Sequence, residues 1–250
     1  MQTTTVDVPT GDGVADAYLV RPDGDGPFPA VLVFMDAYGL RPRLAEMAET
    51  IAARGHVVLV PNLFHRFGRA PLVDLSGLRE PSRRGALFEE LGPMIRSLTP
   101  DVVARDTAAY LDFLAAQPDV APGPVAITGY CMGGLNALRA IEAHPDRIAA
   151  AAVFHAGRLA TDAPDSPHLA VGAVTGELYF GHADQDRSMP AEQIAVLERV
   201  MDRAGVAYRS EVYPGAHHGY TQSDTSEYDE QATERHWAAL FDLLDRTFRR

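Results

Sequence analysis

The chain contains no lysine; all 22 of its basic residues are arginine. Without a lysine amine there is no Schiff base, which excludes lysine-anchored pyridoxal chemistry and the amine-dependent aldolases. A Walker A phosphate loop, which needs a lysine to reach the phosphates, is excluded too. Cysteine is nearly absent. The single Cys131 allows no internal disulfide and suits a reducing cytoplasm. No run of about 18 apolar residues occurs, so no membrane span is expected. The opening Met1-Gln2-Thr3-Thr4-Thr5-Val6-Asp7 lacks a basic segment followed by an apolar core, so no secretion signal is expected. Positive charge is in deficit. With 34 acidic residues against 22 arginines the net charge is −12, which argues against nucleic acid and anionic membranes as partners.

What is present is enough for one large core. Of the 250 residues, 46% are hydrophobic, and residues 1–250 read as one domain without repeats or low-complexity tracts. Val14 to Val20 reads as a strand, ended by the Gly/Pro-rich turn from Arg21 to Pro27. Ala30 to Met35 and Val57 to Val60 are continuous apolar runs, typical of buried parallel strands. Between them Leu44, Met47, Ala48 and Ile51 recur at helical spacing, stopped by Gly55. A helical patch lies near Leu87 to Ile95. Thr99-Pro100 starts a further helix, with Thr99 as N-cap, running to about Gln117. Strands follow at Val125 to Thr128, Ile148 to Phe154, Glu177 to Phe180 and Tyr208 to Tyr213. Helices lie over Leu135 to Ile141, Ile194 to Met201 and roughly Asp229 to Phe248. Strands alternating with helices predict a mostly parallel sheet, with ligands at the carboxyl ends of its strands.

Gly129-Tyr130-Cys131-Met132-Gly133-Gly134 stands between a buried strand and a helix. Strand, glycine-framed turn and helix are the setting of a nucleophile elbow, where the usual residue is serine. Cys131 is therefore the candidate nucleophile, although a lone thiol is elsewhere often just a small buried hydrophobe. A cysteine nucleophile needs a base, and the base an orienting carboxylate. His182-Ala183-Asp184-Gln185-Asp186 follows one downstream strand, and His217-His218-Gly219-Tyr220 lies beyond another. Nucleophile, acid and histidine thus come in the chain order of the α/β-hydrolases. Asp184 or Asp186 is the acid on this reading, and His217 or His218 the base. His155, just after the strand ending at Phe154, is a candidate pocket wall.

The pattern resembles the dienelactone hydrolase family over roughly residues 14 to 245. The family elbow G-x-C-x-G-G is matched by Gly129 to Gly134. Its acid stands four residues before a proline, as Asp186 does before Pro190, and its histidine precedes a small and an aromatic residue, as His218 precedes Gly219-Tyr220. Near the first central strand the family carries E-x-[FY]-G, where this chain has Asp36-Ala37-Tyr38-Gly39.

The resemblance implies an α/β-hydrolase fold, with helices on both faces of the sheet. It implies an enzyme that cleaves a small ester, lactone or thioester through Cys131, His218 and Asp186 and a cysteine acyl-enzyme. The backbone N–H groups of Ala37 and Met132 would form the oxyanion hole. Neither cofactor nor metal is implied, and a monomer or a small homo-oligomer is equally compatible. The family glutamate interacts with the nucleophilic thiol, so Asp36 is included among the candidate catalytic residues; its reach is shorter by about 1.5 Å. Family members acting on dienelactones hold the substrate carboxylate with arginines, one of them four residues after the histidine. That position is Gln222 here, which predicts a preference for neutral substrates unless Arg66, Arg69, Arg83 or Arg84 supplies the cation. Two other classes fit the same residues: a non-hydrolytic isomerase or cyclase on this scaffold, and a binding protein that has lost activity.

Overall fold

A computed structural model describes residues 1–249. Its eight strands form one sheet in the order β1-β2-β4-β3-β5-β6-β7-β8. They are β1 (Gln2–Thr10), β2 (Gly13–Arg21), β3 (Ala30–Phe34), β4 (Val57–Pro61), β5 (Val125–Tyr130), β6 (Ile148–Phe154), β7 (Glu177–Gln185) and β8 (Tyr208–His217). β1 and β2 are antiparallel to their neighbours, and all later pairings are parallel. The helices are α1 (Pro42–Ala52), α2 (Arg84–Ser97), α3 (Pro100–Ala115), α4 (Met132–Ala143), α5 (Ala191–Ala204) and α6 (Glu230–Phe248).

The continuous apolar runs became the centre of the sheet. Every residue of β3, β4 and β5 is buried. Strands covered on both faces need no polar alternation. α1 turns Leu44, Met47, Ala48 and Ile51 onto them. The turn that follows α1 meets α6 through the rings of His56 and Phe248 and through Arg54 over Phe241. Another layer joins α3 to α4, where the His144 ring bonds the Ala104 carbonyl. Thr99 caps α3, its side chain accepting from the Val102 N–H, and Asp229 caps α6 through Ala232.

Three differences from the sequence reading have physical causes. β1, rich in threonine, has only Val8 fully buried and carries almost no hydropathy signal. It exists because it pairs along its whole length with β2. β7 runs on to Gln185 and β8 to His217, beyond their apolar parts, because the two polar ends pair with each other. α3 ends at Ala115, two residues short, where the chain tightens into a turn.

The order β4-β3-β5 places the reversal of winding between β3 and β5. Crevices of this kind open at the carboxyl ends of the strands. Here α4 begins hard against β3. A Cβ on Gly133 would stand 2.3 Å from the Phe34 carbonyl oxygen and 2.4 Å from that of Met35. Neither backbone can yield without parting the helix from the sheet. Gly133→Ala is therefore expected to cost at least about 2 kcal/mol in urea unfolding. Gly11→Ala, with nothing within 4 Å of the added carbon, is the control and should change little.

Candidate active site

β5 ends and α4 begins at Cys131, whose backbone lies at φ 55°, ψ −119°. Glycine is needed on either side of this turn. A Cβ on Gly129 would come within 2.1 Å of the Gly133 oxygen. The turn is pinned to β6 by the Cys131 N–H, which donates to the Phe154 carbonyl at 3.1 Å. The sulfur thus stands at the N-terminus of α4, where the helix dipole favours negative charge. The turn Asp36–Gly39, closed by the Gly39 N–H on the Asp36 carbonyl, brings Ala37 to the same cavity wall as Cys131 and Met132.

Asp186 directly follows β7, and His218 directly follows β8. Asp186 Oδ2 accepts from His218 Nδ1 at 2.6 Å. Its Oδ1 accepts from the Ser188 N–H at 2.8 Å and the Ser188 hydroxyl at 2.6 Å. Burial alone would raise the Asp186 carboxyl, but His218 and Ser188 outweigh it and hold the group below its ordinary range. Burial likewise works against a charged His218. The Cys131 sulfur and the Asp186 carboxylate overcome it, and the imidazole is raised well above its usual value. Asp184 is exposed and accepts from the Gly215 N–H and the Gln185 amide. His217 is exposed too, with its ring 4.0 Å from Glu227. Of the paired alternatives, then, Asp186 and His218 are joined; Asp184 lies outside the cavity, and His217 lines the cavity's edge without bonding Asp186.

Asp36 is turned to another task. Its two carboxylate oxygens accept from Arg41, each at 2.8 Å, and Oδ1 also caps the Tyr38 N–H. The short side chain thus meets Arg41 and its own turn rather than the sulfur. Arg41, only 3% exposed, also reaches Asp224, the Gly39 carbonyl and Gln222. Its guanidinium pKa is raised: burial opposes the charge, but the two carboxylates more than compensate. Gln222, the site of the expected arginine, is itself buried. It bonds Arg41 and Thr221 and does not line the larger cavity. His155, following β6, is fully enclosed at φ 39°. Its ring accepts or donates at 2.8 Å to Thr221 and sits 5.5 Å from the His218 ring. Burial and neighbouring histidines keep it neutral, well below its ordinary pKa.

Two cavities that share Cys131 and His218 in their walls lie here. The larger, about 750 Å³, is bounded by Cys131, Met132, Asp186 and His218, by apolar Phe88, Ile95, Leu98 and Leu135, and by five arginines. The smaller, about 140 Å³, lies between Cys131, Asp36, Tyr38 and His155. Four arginines were candidates for the missing cation. Arg66, Arg69 and Arg83 pair with Asp106, Asp7 and Asp74, away from the site. Arg84 lines both cavities and pairs with Glu227 at 2.5 Å. Of the four candidates, then, Arg84 alone lines the cavities, and it reaches them from α2 rather than from the histidine loop. Among the described residues no three His, Cys, Asp or Glu side chains are grouped as metal ligands, and no helix is long and apolar enough to cross a membrane.

Comparison with known proteins places this geometry in context. The model of the dienelactone hydrolase family matches residues 15–248. A curated relative from Synechocystis sp., named "Putative carboxymethylenebutenolidase", is 24% identical over 248 residues, spanning 98% of this chain and 96% of its own. The crystal structure of the "Putative Dienelactone Hydrolase" of Klebsiella pneumoniae superimposes with a TM-score of 0.83 at 20% identity, covering 97% of both chains. A dienelactone hydrolase-like promiscuous phosphotriesterase from metagenomic libraries gives 0.77 at 23% identity, with 98% of both covered. The fold is that of the α/β-hydrolases.

The pairing of His218 with Asp186 has a sign that titration can read. Stability drawn from a raised His218 is fully present below pH 6.5 and is lost as the pH climbs through its folded value. Stability drawn from a depressed Asp186 is present above the ordinary carboxylate range and lost on acidification. In a ¹⁵N imidazole titration, His218 should hold its proton well above pH 6.5, and His155 should stay neutral well below it. Asp186→Asn should bring His218 down. A wild-type His218 titrating at its ordinary value would contradict this electrostatic account.

Proposed function

The chain belongs to the dienelactone hydrolase family, and on that premise we propose that it hydrolyses a small ester or lactone through Cys131, His218 and Asp186. The observation that carries the reading is the 2.6 Å Asp186–His218 bond beside a cysteine on a strained elbow, at the carboxyl ends of β7, β8 and β5 of one parallel sheet. The relatives' name, carboxymethylenebutenolidase, points to a lactone.

Each group has one task. His218 takes the Cys131 proton, and the thiolate attacks the carbonyl carbon. The negative charge passes to the carbonyl oxygen, held by the N–H groups of Ala37 and Met132. As the C–O bond breaks, His218 returns its proton to the leaving alkoxide, leaving an acyl-thioester on Cys131. His218 then deprotonates a water that attacks this thioester. The acid departs, and the sulfur regains a proton. Asp186 keeps Nδ1–H of His218 aimed at itself, so the other nitrogen faces the reaction, and it stabilises the imidazolium. Ser188 holds Asp186 in turn. Asp36 acts at one remove, bracing with Arg41 the turn that presents Ala37. A free thiol at the centre of this chemistry needs a reducing compartment, which the cytoplasm supplies.

The acid and base assignments separate cleanly by mutation. With a neutral 4-nitrophenyl ester, Asp186→Asn should lower kcat by about 10⁴-fold, the loss a misdirected imidazole produces in comparable triads. Asp184→Asn should stay within about threefold of wild type, as a surface substitution should. His218→Ala should abolish turnover and His217→Ala should not. Greater damage from Asp184 or His217 would reassign the site.

A further inference from the structure

One face of α4 forms part of the larger cavity's wall. Met132, Leu135, Asn136 and Arg139 recur at the spacing that puts side chains on one side of a helix, and all four line the cavity. Met132 and Leu135 are apolar, and Ile95 and Leu98 face the same space. Asn136 breaks that pattern. Asparagine is a weak helix former, because its amide competes for backbone groups, and inside a helix it usually turns to water. Here it is only 1% exposed. Its Oδ1 is enclosed and accepts from nothing in the protein. An enclosed amide oxygen without a donor lowers stability. An alanine or leucine would suit this helix better, and Asn136 has no role in the chemistry above.

Its neighbour one turn on has the complementary defect. Arg139 donates from one terminal nitrogen to the Leu98 carbonyl at 3.1 Å and from the other to Asp165 Oδ2 at 3.0 Å. Its Nε–H is enclosed and has no acceptor. The Asp165 carboxylate already balances the guanidinium. Glu142, a further turn along, lies outside the cavity wall, and burial pushes its carboxyl up to about 8, so it is largely uncharged at neutral pH. Among the described residues that line the larger cavity, Asn136 and Arg139 are the two with enclosed side-chain nitrogen or oxygen atoms that lack a partner. One atom is an acceptor and the other a donor, on one helix face. A hydroxyl group both donates and accepts, and it is the neutral group that answers both.

We propose that Asn136, assisted by Arg139 Nε, forms a neutral polar subsite, and that the substrate's acyl part is an apolar chain ending in a hydroxyl group. The assignment to the acyl part rests on the hydrolase reading of Cys131. On that reading the leaving oxygen lies at His218, which follows β8, and the acyl group stays on the sulfur at the start of α4. Asn136 is five residues along α4 from Cys131, about 7.5 Å at 1.5 Å per residue. Met132 and Leu135 give that interval an apolar surface. The terminal torsion of an asparagine is soft, so the amide turns readily toward a group in the cavity. A volume of about 750 Å³ has room for a chain of this length.

The test uses 7-hydroxyheptanoic acid, whose hydroxyl lies about 9 Å from the carbonyl carbon when extended, and octanoic acid, which has a methyl group in place of that hydroxyl. Their 4-nitroanilides serve as uncleaved ligands in calorimetric titration, and their 4-nitrophenyl esters as substrates. A third anilide carries the hydroxyl at carbon 4 of the same heptanoyl chain. Wild type should bind the 7-hydroxy anilide about tenfold tighter than this isomer of equal polarity, a comparison that needs no variant. Asn136→Leu should lower the ratio of hydroxy to octanoyl affinity by about tenfold or more. In turnover the same change should appear in KM. Equal binding of the two hydroxy isomers to wild type, or an unchanged ratio in Asn136→Leu, would overturn the subsite and leave the hydrolase reading standing. Discrimination between the anilides with no turnover of either ester would uphold the subsite and refute the hydrolase reading instead.

Discussion

The chemistry of this chain depends on a turn too tight for a side chain. Gly133 lies against the carbonyls that end β3, and Gly129 lies against Gly133. Because both lack a Cβ, α4 can start directly beneath the ends of β3 and β5. The strain falls on Cys131, which is thrust out at φ 55° toward the crevice. The same closeness sets the sulfur beside the Asp36–Gly39 turn, where an oxyanion would be received. The bond from the Cys131 N–H to Phe154 ties the elbow to β6, and thereby to His155 against the base. Loss of either glycine contact would move nucleophile and oxyanion donors together.

A second constraint ties the Asp36–Gly39 turn to the loop that carries Gln222 and Asp224. Arg41 is buried, and burying a guanidinium is costly unless all its donors are satisfied. Here they are distributed between Asp36 and Gly39 on one loop and Gln222 and Asp224 on the other. The network continues through Gln222 and Thr221 to His155. Removing one partner would leave a buried charge uncompensated, which in comparable cases costs about 3–5 kcal/mol. Asp36 thus has a partner of its own in Arg41. The side chain serves as an anchor for the oxyanion turn, with Arg41 as its counterion, and the position four residues after the histidine serves the same clamp.

The central strands, the helix stripes and the elbow were legible because each obeys a local rule. Apolar runs bounded by breakers, a 3.6-residue period and paired glycines around one thiol all lie within short windows. Legibility faded where pairing alone decides. β1 is a strand because β2 is beside it, and the polar ends of β7 and β8 exist through each other. The clamp could not be read at all, since Arg41 meets partners 181 and 183 residues away. The same limit applies to charge. Gln222 could be counted against an arginine and Arg84 named as one possible replacement, but nothing local told that the Gln222 side chain is buried or which of the four named arginines reaches the cavity. The choice between Asp184 and Asp186, one strand step apart, rested on the distance to Pro190. In the structure it follows from β7 ending at Gln185, which frees Asp186 to turn toward His218.

The central claim is that the acyl group passes through the Cys131 sulfur. Rapid acid quench during turnover of a neutral 4-nitrophenyl ester, followed by peptide mass spectrometry, reads it directly. The account predicts a burst of nitrophenol together with one acyl group on the peptide containing Cys131, gone once the substrate is exhausted. An acyl group on Ser188 or any other residue, or steady turnover by a Cys131→Ala protein, would contradict it.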